Sequence, residues 1–282
     1  MNTVSSVPHF IIQPQKKWKL IDFKELYKHK DLLYFFVLRD VTVLYKQTVF
    51  GLIWAIMNPV FSMVVFSFIF GNLANIPSDG IPYPIFSFSA VLPWTYFSQA
   101  MNGATNSLLS STSIFTKVYF PRIIIPLTPI VSKLADFFIA FVILIIMMLF
   151  YNIVPNINII FLPFLILLMV LSAAGIGMWL SSLAIQYRDV RFAVGLLTTL
   201  LMYAAPVVFP ASLVQQKFGD VLYYLYGIYP MVGVIEGFRA SLLGFREMPW
   251  GLILIGTVSS TILFISGTYH FRKTEKIFAD VA

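Results

Sequence analysis

The stretch GIYPMVGVIEGFRASLLG, residues 227–244, decides how this chain is folded. It is apolar enough to lie in a membrane, yet Glu236 and Arg239 stand in its middle. A charge at the bilayer centre costs from about 2.5 kcal/mol upward, so the two side chains require a partner or a watery surround. Either the segment crosses the bilayer, or it dips in and returns. The two readings put the rest of the chain on opposite sides.

The surrounding sequence favours return. Of 282 residues, 59% are hydrophobic and only 11% charged, with a mean hydropathy of +0.86. Soluble domains carry about 25% charged residues. The composition therefore predicts an all-α, polytopic membrane protein. Six runs approach the ~20 apolar residues that a spanning helix needs: 50–70, 85–108, 127–151, 157–185, 192–209 and 250–271. The fourth holds Pro163, Gly175 and Gly177, which predict a kink or a close helix contact.

Sixteen of the nineteen Lys and Arg residues fall on one side of a six-span arrangement, eight of them before residue 50. The loops 71–84 and 152–156 on the other side have none. The positive-inside rule then places both termini in the cytoplasm. A seventh crossing at 227–244 would throw the basic tail, with Arg272, Lys273 and Lys276, to the outside. The segment is therefore read as re-entrant from the extracytoplasmic side, within a gate region spanning about 212–244 between spans five and six. Irregular backbone at that depth is tolerated where protein or a water-filled cavity covers it. Pro230 can start a short helix there, and Glu236 and Arg239 at i and i+3 can pair. The pair either pins that helix to a neighbour or faces an aqueous path. The same topology accounts for the net charge of +7 without nucleic acid.

Residues 1–49 read as a cytoplasmic N-terminal segment and 50–282 as the membrane domain. Leu20, Phe23, Tyr27, Tyr34, Leu38, Val41 and Tyr45 fall within an arc about 60° wide on a helix. Asp22, Glu25, His29 and Asp40 lie opposite. A Lys-rich amphipathic helix of this kind lies in the interface plane beside anionic lipid. A break is expected at His29-Lys30, with Asp31 capping a second helix.

Five stretches carry a family resemblance: RDVTVLYKQTVFGLIWAIMNP (39–59), GIPYPIFSFSAVLPWTYFSQA (80–100), TKVYFPRIIIPL (116–127), YRDVRF (187–192) and YPMVGVIEGFRASLLG (229–244). In order and spacing they resemble the membrane subunit of ABC-2-type polysaccharide exporters, which carry O-antigen, teichoic acid or capsule. The chain departs from that family's usual Asn-Pro and Ser-Pro with Tyr229-Pro230 and Ala205-Pro206. The resemblance implies a homodimer in the bacterial cytoplasmic membrane, two copies of a separate nucleotide-binding ATPase, and a lipid-linked polysaccharide as cargo. It implies no cofactor in this chain, with ATP and Mg held by the partner. The sequence has no G-x-x-x-x-G-K-[ST] motif to cradle ATP phosphates, so the chain is not read as an enzyme.

The resemblance also implies that short cytoplasmic elements seat in the ATPase. The matching positions are Lys117, Tyr119, Phe120 and Arg122, and the Tyr187, Arg188, Asp189, Arg191 turn, which alternatively forms a local ion-paired corner. Pro121 and Pro126 make stiff corners beside the first of these. Tyr229, Pro230, Glu236 and Arg239 are the expected gate. A polysaccharide corridor needs a tolerant lining, and aromatic faces stack on sugar C–H faces without demanding one hydroxyl pattern. Among 28 Phe, 14 Tyr and 5 Trp, the candidates are Trp54, Phe61, Tyr96, Phe97, Tyr203, Tyr223, Tyr224 and Tyr226. Membrane aromatics also face lipid or form interface belts. Lys133 and Asp136 are expected to neutralise each other. His9, His29 and His270 are scattered, so no metal site is expected. Two other classes remain: an ion-coupled secondary transporter, which needs ionisable residues deep in broken spans, and a membrane glycosyltransferase, which needs a catalytic acid or base. A drug or lipid exporter of the same architecture is a third.

Overall fold

A computed structural model describes residues 23–46, 53–115, 120–244 and 247–278. Every regular element among them is helical. The N-terminal part holds α1 (Phe23–Lys28) and α2 (Lys30–Lys46), split at His29 as expected. Because α2 starts at Lys30, Asp31 sits inside its first turn and not at the N-cap. Leu32, Leu33 and Phe36 face the protein core, while Tyr27, Tyr34 and Leu38 stand exposed. The predicted apolar arc is thus turned away from the core at Tyr27, Tyr34 and Leu38; Leu20 and Asp22 lie outside the described residues.

The bundle contains α3 (Ile53–Phe66, continued by a π-helical turn Ser67–Leu73), α4 (Tyr83–Ser110), the short α5 (Thr112–Phe115) and α6 (Ile124–Phe150). It continues with a 3₁₀ turn Ile157–Phe161, α7 (Leu162–Ala184), α8 (Asp189–Ala204), α9 (Ser212–Tyr226), α10 (Pro230–Leu243) and α11 (Trp250–Thr274). Four of these stretches are long and apolar enough to cross a membrane: Ile53–Leu73, Ile124–Phe150, Ile157–Ala184 and Trp250–Thr274. A fifth follows if the bent pair α9–α10 counts as one span.

Two expected spans fall short of that standard, each for a visible reason. The 28-residue α4 is about 42 Å long at 1.5 Å per residue, enough for a bilayer, but rich in Ser, Thr, Asn and Gln. It lies at the centre of the bundle, with Phe88, Phe97 and Met101 wholly buried, so its surface rarely meets lipid. Its hydroxyls are satisfied locally: Ser89 donates to Phe86 O (2.8 Å) and Thr105 to Met101 O (2.8 Å). The expected span 192–209 is instead the 16-residue α8, which begins at Asp189 and stops at Ala204. Pro206 disfavours helical backbone at the residue before it, and Ala205 is extended (φ −80°, ψ 152°).

The small residues of α7 serve close contact and not a kink. Pro163 sits in the first turn, where its missing N–H costs nothing. A Cβ on Gly175 would lie 2.6 Å from the Leu263 backbone, and one on Gly267 would lie 2.1 Å from Gly175 O. Helices α7 and α11 therefore touch backbone to backbone, with Ser172 Oγ and Ser260 Oγ 2.9 Å apart across the seam.

Candidate functional site

Helix α9, which is broken internally at Gly219 (φ +80°, ψ 176°), meets α10 at a bend of 112°. The cause is local: Tyr229, ahead of a proline, is extended (φ −76°, ψ 108°), and Pro230 opens α10. Gly244 ends α10 in the left-handed region (φ +69°), the usual role of glycine just past a helix. The hairpin starts and finishes at the same end of the bundle. Ser212 Oγ donates to Asp79 of the loop between α3 and α4 (3.3 Å), and Gly244 lies against Val154 and Asn156 of the loop before α7. Between these points α10 is buried along its whole length.

The two charges of the opening stretch are held inside this hairpin. Arg239 Nη1 donates to Glu236 Oε1 at 2.9 Å, and the side chains are only 5% and 8% exposed. Glu236 Oε1 also accepts the Ala211 N–H (2.9 Å), while Arg239 Nη2 donates to Val207 O (3.0 Å). The guanidinium lies 3.6 Å from the Phe86 ring centroid, a cation–π contact with α4. Tyr83 Oη holds the same loop by donating to Val208 O (2.6 Å). The pair thus staples α10 to the segment 205–211 and to α4. One side of it borders a cavity of about 110 Å³ whose walls include Asp79, Phe86, Tyr223 and Glu247. Tyr83, Phe86, Val207 and Ala211 had no distinguishing signal in the sequence, because two of them act through backbone atoms.

The aromatic candidates separate into two groups. Tyr96 and Phe97 are sealed inside the bundle, and Tyr96 Oη donates to Ile130 O of α6 (2.9 Å). Their placement is packing between helices of one chain. Trp54, Phe61, Tyr203 and Tyr224 lie on exposed faces. Tyr223 and Tyr226 are half-buried, the latter donating to Ala204 O (2.7 Å), and Tyr229 Oη is buried without a partner among the described residues.

At the opposite end of the bundle, Lys117 and Tyr119 lie outside the described residues. Phe120 is buried and meets Phe36 of α2 edge-on at 5.9 Å. Arg122 Nη1 donates to Glu275 O at 2.5 Å. Tyr187, Arg188, Asp189 and Arg191 are all exposed, and among the described residues no ion pair closes the expected corner there. Lys133 and Asp136 do pair, at 2.8 Å. Among the described residues no group of His, Asp and Glu is placed to hold a metal.

Long apolar helices around a polar central one, with a buried ion pair inside a bent hairpin, indicate a multi-pass membrane protein. Residues 32–243 match the ABC-2 type transporter family, and the chain belongs to it. It is 25% identical over 259 residues to an O-antigen export system permease protein RfbA of Myxococcus xanthus, covering 91% of this chain and 97% of that one. A Klebsiella pneumoniae protein of the same name is 26% identical over 252 residues, covering 89% and 95%.

Proposed function

We propose that this chain is the membrane subunit of an ATP-driven exporter that moves a lipid-linked polysaccharide of O-antigen type across the bacterial cytoplasmic membrane. The observation that carries this reading is the similarity to O-antigen export permeases over about nine-tenths of the chain, through both α2 and the α9–α10 hairpin. Two copies form the channel and two copies of a separate ATPase bind ATP and Mg. Six helices span: the four apolar stretches, the sheltered α4 and the short α8. Both termini are cytoplasmic. The hairpin is re-entrant and closes the outer end of the path as a gate, held by Glu236 and Arg239.

The exposed apolar faces of α3 and α8, with Trp54, Phe61, Leu196 and Tyr203, are left for lipid, a second copy and the sugar corridor. Tyr223, Tyr224 and Tyr226 flank the gate; Tyr96 and Phe97 fall outside the lining. Lys117, Tyr119 and the exposed Tyr187–Arg191 turn form the ATPase-facing side, with the buried Phe120 and the Glu275-bound Arg122 bracing it from within, and α2 rests on the inner leaflet. The similarity to export permeases over about nine-tenths of the chain favours the ATP-driven reading over an ion-coupled carrier.

The test is reconstitution. Co-expression with a cognate P-loop ATPase is expected to give a complex whose ATP hydrolysis and glycan export both require this chain. Glycan movement by the purified chain without any ATPase would defeat the proposal.

A further inference from the structure

We propose that α11 is the rod linking the cytoplasmic coupling loop to the outer gate, and that Arg122 is the residue that positions its lower end. The proposal rests on the exporter reading above and adds a route for the force. At the lower end, Arg122 Nη1 grips the carbonyl of Glu275, one residue past α11. Arg272 Nη1 pairs with the Glu275 carboxylate at 3.1 Å and fixes that turn. Phe278 folds back into the core, wholly buried, with its ring 5.2 Å from Phe271. The tail is therefore clamped between the coupling loop and the last helix. Phe120 ties the same loop to α2.

Between its ends α11 runs unbroken for 25 residues, about 37 Å, with no internal proline. Its backbone contact with α7 at Gly175 and Gly267 makes the two helices one body. At the upper end the contacts are again to backbone. A Cβ on Gly233 of α10 would lie 2.7 Å from Leu252 O, and one on Gly256 would lie 3.4 Å from Pro230 O. Close-packed backbone contacts do not absorb displacement as flexible side chains do, so movement at one end reaches the other. Arg122 then acts by holding α11, not by touching the ATPase.

The experiment uses the full chain in complex with its ATPase, comparing Arg122→Ala with Arg122→Lys, which keeps a donor for the carbonyl. The chain lacks cysteine, so Val221→Cys on exposed α9 accepts a single spin label as a reporter of the gate. For Arg122→Ala, the ATPase is expected to co-purify and hydrolyse ATP normally. Export should fall about tenfold, the scale of a lost coupling contact, and the ATP-dependent change at the Val221 label should vanish. Arg122→Lys should restore most of both. Loss of the ATPase from the Arg122→Ala complex would make Arg122 a partner contact and overturn the proposal. So would an unchanged label response with normal hydrolysis, or equal failure of the Lys and Ala variants. Failure of the exporter reading would appear instead in the wild-type complex.

Discussion

Placing a methyl group on Gly267 is expected to split the bundle. The added carbon of Gly267→Ala would sit 2.1 Å from the carbonyl oxygen of Gly175, and its other near neighbours are also backbone atoms. No rotamer change relieves such a contact; α7 and α11 must move apart. That separation also lengthens the Ser172–Ser260 contact and loosens the α10 seat on α11. Overpacking of a core costs roughly 1–3 kcal/mol and occasionally more, and a contact between two backbones belongs at or above the upper end. Gly267→Leu should prevent recovery of a monodisperse protein in mild detergent. Gly195→Ala is the control, because its Cβ meets nothing within 4 Å in this chain. A helix-interior Gly→Ala there should be neutral or stabilise by roughly 0.5–1 kcal/mol. Equal thermal stability of Gly267→Ala and Gly195→Ala would refute the backbone seam.

The second large effect concerns the buried pair. Glu236→Ala leaves the Arg239 guanidinium buried with Val207 O and the Phe86 face as its remaining partners, and it strands the Ala211 N–H. Breaking a buried ion pair from one side typically costs about 3–5 kcal/mol. Glu236→Ala and Arg239→Ala should each lower unfolding stability in detergent by that order and reduce export, while membrane insertion persists. The apolar double variant Glu236→Leu, Arg239→Met removes both charges, and it should be less destabilised than either single change. Stability near wild type in both single variants would mean that the pair does not staple the hairpin.

These two sites also mark how far the sequence could be read. The apolar runs and the i,i+3 pairing of Glu236 and Arg239 were legible because each rests on local composition or helix geometry. The break at His29 was legible too. What could not be read depends on neighbours far along the chain. Nothing local distinguishes Tyr96 and Phe97, which pack inside the bundle, from Tyr203 and Phe61, which do not. Hydropathy alone underrates α4, because a helix sheltered by others carries polar side chains that bond to its own backbone. The premature end of α8 was visible in Ala205-Pro206 but lost in a long apolar run. Arg122 read as a position seated in the ATPase, and its use as a clamp depends on a carbonyl 153 residues away.

The account stands on the hairpin beginning and ending on one side, which makes the number of crossings even. A cysteine added after Ala282 tests this in an otherwise cysteine-free chain, probed with a membrane-impermeant maleimide on spheroplasts. Asn156→Cys, in the loop beside Gly244, serves as the outer reference. The account predicts that the Asn156→Cys position labels in intact spheroplasts and the terminal cysteine labels only after permeabilisation. Labelling of the terminal cysteine in intact spheroplasts, together with Asn156→Cys, would contradict it.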